Sequence, residues 1–377
     1  MSRYSEPDFV PSDLLSEDER ITFDWEERSA MLKARGYVLC QRDCPGCAVV
    51  QKVANGTAPV KLDGDSEYGF PQESTRSNRT VIMTVATRAT DDRLVYIKKV
   101  DSNTRRYDCW EFKNIKLLHS GSLRVSSASH CTPVFDLFTH GEDTFAVTPV
   151  LTVLPRDAFP RVDDVLQFIN QVLPGVHFMH SQRIAHRDCS FHNIRTDAAS
   201  GYLCRLHQLH VDQTRNTPED TATSLPLLSA TAFARDQPLR YYINDLTHSM
   251  EHDHGPIERR AAGICSRNQG APEYDESAGG YNPFLLDIWL IGSTFLEEFL
   301  DKYSNLEFCR ELVESMTHTV PPLRPDASEC VKEWFCILQR LPMSVRTSRL
   351  RKRSTADIRY QSFRPPREEF VSRFAKK

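Results

Sequence analysis

Apolar positions along the chain keep two different periods. "RTVIMTVAT" (Arg79 to Thr87) and "RLVYIKKV" (Arg93 to Val100) are β-branched, partly alternating runs separated by "RATDD", which predicts two strands joined by a turn. "DCWEFKNIKLLHSGSL" (Asp108 to Leu123) sets Phe112, Ile115 and Leu118 at helical spacing, and a further strand fits "TFAVTPVLTVL" (Thr144 to Leu154). This order of strand, strand, helix and strand predicts a small mixed unit over about residues 75 to 150. Beyond Pro155 the period becomes helical. In "VDDVLQFINQVLPGVHFMHSQ" the residues Val165, Phe168, Ile169, Val172, Val176 and Met179 share one face, with Asp163 and Asp164 at the end of the helix dipole that favours negative charge. Pro174 is expected to kink that helix. Helical spacing returns in "LLDIWLIGSTFLEEFLDKY" and "ASECVKEWFCILQRL", so residues 151 to 340 read as a second, mostly α unit. The polar stretch from Gly201 to Pro238, rich in Thr, Ser and Pro, reads as a long insertion or loop at about 200 to 238. The expected class is α+β, with a small β-rich part followed by a larger helical part.

Composition narrows this picture. A chain of 377 residues with 40% hydrophobic content can bury one large core or two modest ones. The most apolar region, "PFLLDIWLIGSTFLEEFL", is broken by Asp287, Glu297 and Glu298, so a buried helix is expected there and no membrane span. The acidic N-terminus has no apolar run of the secretory type, and an intracellular chain, cytoplasmic or nuclear, is expected. Eleven cysteines, an odd number without framework spacing, read as free thiols. Cys40, Cys44 and Cys47 have ligand-like spacing, but a structural zinc site needs four ligands, and neither Cys nor His follows until Cys109 and His119. Metal is the minority reading for this cluster.

The net charge of −4 hides a division, because residues 346 to 377 carry eleven Lys or Arg against three Asp or Glu. Residues 341 to 377 therefore read as a basic tail whose run "RTSRLRKR" either lies solvated or serves as an import or polyanion-binding segment. Nucleic acid is not expected as a partner except through that tail. Residues 1 to 74 read as a partly disordered N-terminal extension, opposite in charge to the tail.

The chemistry concentrates in "IAHRDCSFHN". His186, Arg187, Asp188 and Asn193 keep the spacing H-R-D-x-x-x-x-N, which background residue usage would produce in about one chain in a thousand of this length. One tight loop of this kind holds an acceptor near an attacking hydroxyl and an amide oxygen near a metal beside phosphates. Here the chain resembles the eukaryotic protein kinase superfamily, and in particular the divergent kinase-like proteins of mushroom-forming fungi, over about residues 75 to 340. Further matches follow in the family's order. "VYIK" makes Lys98 the phosphate-binding lysine, with Lys99 its rival, and Glu111 its helix partner. Asp245 in "INDLTHS" stands where the family has its metal-binding Asp. "APE" supplies Ala271, Pro272 and Glu273, "DIWLIG" supplies Asp287 and Gly292, and Arg324 follows.

The resemblance implies a bilobal fold, with ATP and Mg²⁺ as nucleotide and metal and a protein hydroxyl, on Ser or Thr, as acceptor. Asp188 would be the base and Lys98 the phosphate anchor, while Asn193 and Asp245 would hold metal. Asp287 would brace the loop, Gly292 would permit close packing, and Glu273 would pair with Arg324. Arg187 would answer a phosphate on the segment from His248 to Gly270, whose only hydroxyl residues are Ser249 and Ser266.

Three departures keep two rivals open. "TVIMTVATRATDD", the stretch ahead of "VYIK", has no glycine, Leu246 and Thr247 stand in place of Phe and Gly after Asp245, and Ser190 replaces a lysine. His192 is a partial substitute for that charge. The rivals are a pseudokinase that acts as a binding or scaffolding module, and a small-molecule kinase of related fold.

Overall fold

A computed structural model describes residues 25, 27–39, 83–100, 110–154, 159–196, 239–251, 270–274 and 280–354. The Cys40, Cys44 and Cys47 cluster, the polar insertion at 200–238, Ser266 and the chain after residue 354 lie outside them.

A helix α1 (Ser29–Ala34) leads into an antiparallel sheet of β1 (Tyr37–Leu39), β2 (Met83–Arg88), β3 (Arg93–Val100), β4 (Asp136–His140) and β5 (Asp143–Pro149), ordered β1-β2-β3-β5-β4. The two strands expected between residues 79 and 100 are adjacent, in the register Val85 to Tyr96 and Met83 to Lys98; residues 79–82 lie outside the described part. The strand expected over 144–154 is two. Its first part is β5, and Thr152–Val153 forms β6 in a separate sheet with β8 (Ile194–Thr196) and β9 (Tyr241–Ile243). The strands β1 and β4 have no forerunner in the periodicity, because each contributes only one fully buried side chain, Tyr37 and Phe138. β1 also extends the sheet beyond the expected boundary at residue 75, into the segment read as an extension.

Alternation along the strands gives the sheet two different faces. Val95, Ile97, Phe145 and Val147 pack with Leu32 of α1, Tyr37 and Phe138 on one face, where the Tyr37, Phe138 and Phe145 rings follow one another at 6.4 and 5.3 Å between centroids. Val100 and Ala146 belong to the main core on the other. That second face meets α2 (Glu111–Leu118), which is shorter than the expected 108–123. A tighter turn over Gly121–Val125, with Gly121 at φ +50°, ends it.

The main core is built around α3 (Val162–Ser181). This helix continues as one element through Pro174. The lost backbone bond is offset by packing, since Phe168 lies within 5.1 to 6.2 Å of the rings of Tyr241, Phe299, Phe191 and Phe295 and Trp334 donates to Asn170 at 2.7 Å. Three further helices, α4 (Pro283–Phe295), α5 (Arg310–Met316) and α6 (Ala327–Arg340), complete the body. Each start is legible in the sequence for α4 and α6: Asn282 accepts from Phe284 N–H at 3.0 Å with Pro283 at the first helical position, and Asp326 accepts from Glu329 N–H at 2.8 Å.

The basic run does not leave the body where a tail beginning at 341 would. A short α7 (Met343–Arg346) is followed by bridges from Arg349 to Arg161 and from Lys352 to Tyr303. Arg346 pairs with Asp163 at 3.2 Å, and Arg353 pairs with Glu307 and donates to Leu300 O at 2.6 Å. These arginines are used on carbonyls and carboxylates of the same chain, so residues up to 354 are part of the packed body. Among the described residues, no helix is long and apolar enough to cross a membrane.

Gly292 is where α4 and α5 touch, since a Cβ there would stand 2.8 Å from Met316 Cβ and 2.9 Å from Thr317 Cγ2. Gly292→Ala is expected to lower unfolding free energy by about 1–3 kcal/mol through overpacking, read as a shift in urea midpoint at unchanged slope.

Candidate functional site

The site lies where the second face of the sheet meets the helical body. Adjacent strand residues point to opposite faces, which separates the two lysines of β3. Lys99 pairs with Asp143 at 2.6 Å, the same carboxylate that takes Arg28 at 2.9 Å. Lys98 points the other way, and its ammonium reaches Glu111 Oε1 at 2.6 Å, Asp245 Oδ1 at 2.9 Å and Thr247 Oγ1 at 2.7 Å. Glu111 is buried at the start of α2, where the helix end favours a carboxylate. Thr247 Oγ1 also stands 2.5 Å from Asp245 Oδ1 and 3.3 Å from Glu111 Oε1. Of the two candidate lysines, Lys98 is thus the one joined to Glu111 and Asp245.

The loop after α3 forms the other wall. It begins with β7 (Ile184–Ala185), which pairs with β10 (Met250–Glu251), and ends in β8. The buried Asp287 of α4 holds it: its Oδ2 accepts from His186 N–H at 2.7 Å and its Oδ1 from Arg187 N–H at 2.6 Å, while His180 Nε2 lies 2.9 Å from Oδ2. This clamp sits where the backbone is least favourable, since Arg187 has φ +67°, a left-handed conformation that non-glycine residues adopt only under constraint. His186 Nδ1 accepts from Asp188 N–H at 3.2 Å, so its Nε2 carries the proton donated to Asn244 O at 3.0 Å. Asn193 Nδ2 donates to Asp188 Oδ2 at 2.7 Å and to Asp188 O at 2.9 Å. Asn244 N–H donates to Asn193 O at 2.8 Å, which joins the loop to the residue preceding Asp245. Asp245 is itself at φ +67° and caps the turn Leu246–His248, accepting from Thr247 N–H at 3.4 Å.

The electrostatics follow from this packing. Burial opposes charge on Lys98, but the carboxylates of Glu111 and Asp245 outweigh it and raise the amine above its ordinary value. Burial likewise opposes charge on Asp245, yet Lys98 and the Thr247 hydroxyl hold its carboxyl well below the carboxylate range. Desolvation lowers His248 despite the pull of Asp188 and Asp245. Burial pushes the Cys189 thiol well up, which makes it an unreactive neighbour of Asp188.

Two buried oxygens two residues apart, Asp188 Oδ1 and Ser190 Oγ, have no hydrogen-bond partner among the described residues. Among the described residues no group of three or more His, Cys, Asp or Glu side chains gathers as a metal site. Magnesium needs only one or two protein oxygens when phosphates and water supply the rest, and the Asp245 carboxylate and the Asn193 amide are joined through one backbone bond, Asn244 N–H to Asn193 O.

Other expected residues serve elsewhere. Arg324 forms a buried bidentate pair with Glu273 and donates to Leu285 O at 2.8 Å and His318 O at 2.7 Å, away from the lysine cluster. The Arg187 guanidinium donates to Tyr281 Oη at 3.0 Å, and residues 252–269, most of the segment it was expected to answer, lie outside the described residues. Ser249, one of that segment's two hydroxyl residues, is not exposed to a phosphate donor. It is fully buried, donates to Leu246 O at 2.6 Å and accepts from Asn114 Nδ2 at 3.0 Å. The sequence reading missed Thr247 as a ligand of Lys98, the roles of His180 and Tyr281, and the Asn114 to Ser249 bond. Only Thr247 had a signal, a hydroxyl two residues after an acid, where it can close a turn.

Neither a scan against models of known protein families nor a search of curated proteins finds a match to this chain.

The lysine cluster sets a pH window. The lowered Asp245 carboxyl contributes stability that is complete above its unfolded value of about 3.9 and is lost as pH falls below it. The raised Lys98 amine contributes stability that is complete below about 10.4 and is lost as pH rises through its folded value. The difference in unfolding free energy between the parent and Lys98→Met is therefore expected to be flat from about pH 5 to 9 and to shrink below about pH 4, as measured by urea denaturation across pH. Asp287→Ala leaves two backbone N–H groups unpaired at about 1–3 kcal/mol each, and chemical denaturation should show a loss of that order.

Proposed function

We propose that the chain is an ATP- and Mg²⁺-dependent phosphotransferase of the protein kinase type, with a bilobal fold, acting on a Ser or Thr hydroxyl of a protein. The observation that carries this reading is the junction of two walls: Lys98, Glu111 and Asp245 form one ion-paired cluster, and Asn193 hydrogen-bonds Asp188 one residue pairing away from it. The strand order β1-β2-β3-β5-β4 with a helix between β3 and β4 is the arrangement such an N-lobe would have.

From Met83 on, the glycine-free stretch ahead of Lys98 is the β2–β3 hairpin, so a loop over phosphates would belong to the connection between β1 and β2. The missing glycines there do not count against nucleotide binding.

In this reading Asp188 Oδ1 receives the acceptor hydroxyl, orients it in line and takes its proton as the bond to the γ-phosphorus forms and the bond from that phosphorus to the β–γ bridging oxygen breaks, releasing ADP. Asn193 keeps the Asp188 carboxylate in place through Oδ2. Lys98 anchors the phosphates, fixed by Glu111, and Asn193 with Asp245 would hold the metal. Bound magnesium would neutralise the charge that builds on the phosphoryl oxygens. The Asp287 clamp keeps the loop from rearranging, which matters because phosphoryl transfer depends on positioning more than on covalent chemistry.

Ser190 in the loop supplies no positive charge, and this favours a second reading as a pseudokinase that binds nucleotide or partner without transfer. Thermal stabilisation by ATP with Mg²⁺, followed by transfer of labelled phosphate to protein, tests both. The parent is expected to be stabilised and to transfer, and Asp188→Asn to keep stabilisation but lose at least about 100-fold in rate. Equal incorporation by Asp188→Asn would reject the assignment of Asp188, and stabilisation without transfer by the parent would leave the pseudokinase reading. Transfer only to small alcohols would replace the protein acceptor.

A further inference from the structure

An ammonium has three N–H bonds to give. On Lys98 all three have acceptors within the cluster: Glu111 Oε1 at 2.6 Å, Thr247 Oγ1 at 2.7 Å and Asp245 Oδ1 at 2.9 Å. The three acceptors are not equivalent. Glu111 is buried on α2 and holds the lysine against the sheet. Asp245 is the carboxylate that can turn to a metal. Thr247 is a neutral hydroxyl, exposed at its residue level, and its own proton is directed to Asp245 Oδ1 at 2.5 Å. It therefore both occupies Lys98 and ties Asp245 to it.

We propose that Thr247 is a positioning residue that sets phosphate affinity by competition: its hydroxyl fills the place on Lys98 that a nucleotide phosphate oxygen must take. The inference rests on the phosphotransferase reading of the same site. For a phosphate to reach Lys98, an existing acceptor has to leave. Glu111 is confined by burial, so the exchange falls on Thr247 and Asp245 together, and the hydroxyl that links them must let both go. Removing the hydroxyl leaves the lysine one acceptor short before ligand arrives. A phosphate then fills an unmet donor instead of displacing a satisfied one, and the difference is of the order of one neutral hydrogen bond.

The test is equilibrium binding to the full chain with Mg²⁺, by calorimetry, of ATP and of adenosine, which lacks phosphate. Thr247→Ala and Thr247→Gly are expected to bind ATP about three- to ten-fold more tightly than the parent, with adenosine affinity unchanged. Thr247→Ser, which keeps the hydroxyl, should restore the parent value. Unchanged or weaker ATP binding by both Thr247→Ala and Thr247→Gly, with the parent binding normally, would overturn the role of Thr247 alone. Tighter binding of adenosine and ATP to the same extent would also overturn it, because the effect would then be one of general packing. Failure of the parent and every variant to bind ATP would overturn the phosphotransferase reading, and this inference with it. Far-ultraviolet circular dichroism and unfolding midpoints identify any variant whose fold is lost, and Thr247→Val, which keeps the side-chain volume without the hydroxyl, then carries the decision: ATP binding no tighter than the parent's would overturn the role of Thr247.

Discussion

The candidate site depends on one buried carboxylate. Asp287 is fully enclosed in α4, where an unpaired charge would cost several kcal/mol. It is tolerable because two backbone N–H groups and the His180 ring converge on it. The exchange works in both directions: the loop satisfies the acid, and the acid holds the loop in a conformation with Arg187 at positive φ that it would not keep alone. Asp188 and Asn193 owe their placement to that contact, which grips the loop at His186 and Arg187 just ahead of them.

The second constraint is the sheet's period of two. It divides two neighbouring lysines between opposite tasks. Lys99 fastens the N-terminal segment through Asp143 and Arg28, while Lys98 closes on the acids of the site. A one-residue slip of β3 would exchange them and would also carry Val95 and Ile97 out of the aromatic cluster around Phe138 and Phe145. The apolar pattern that packs the sheet thus determines which amine reaches the site.

Much of this was readable from residue order, and the reasons are specific. The long helix of 162–181, the α4 and α6 starts, and the collinear series from Lys98 to Arg324 are local patterns with strong spacing. The Glu273 to Arg324 pair, the Asp287 brace and the tight Gly292 contact have the partners expected of them. What was not readable depended on distant partners. β1 and β4 carry one buried side chain each, too little to make a period. The basic run to Arg353 looks like a tail until Asp163, Glu307 and two strand-like bridges are near it. Ser249 looks like a surface hydroxyl until Asn114 arrives from α2. Lys98 and Lys99 could not be told apart without the sheet to give them faces.

The edge strand has a consequence for how the chain folds. β2 joins β3 through the four residues 89–92, whereas β1 reaches β2 only across residues 40–82. Across that separation β1 gains three residue pairs with β2 and the docking of Leu32 and Tyr37. Pairing of β1 is therefore expected to follow formation of the β2–β3 and β4–β5 hairpins, whose sheet receives it.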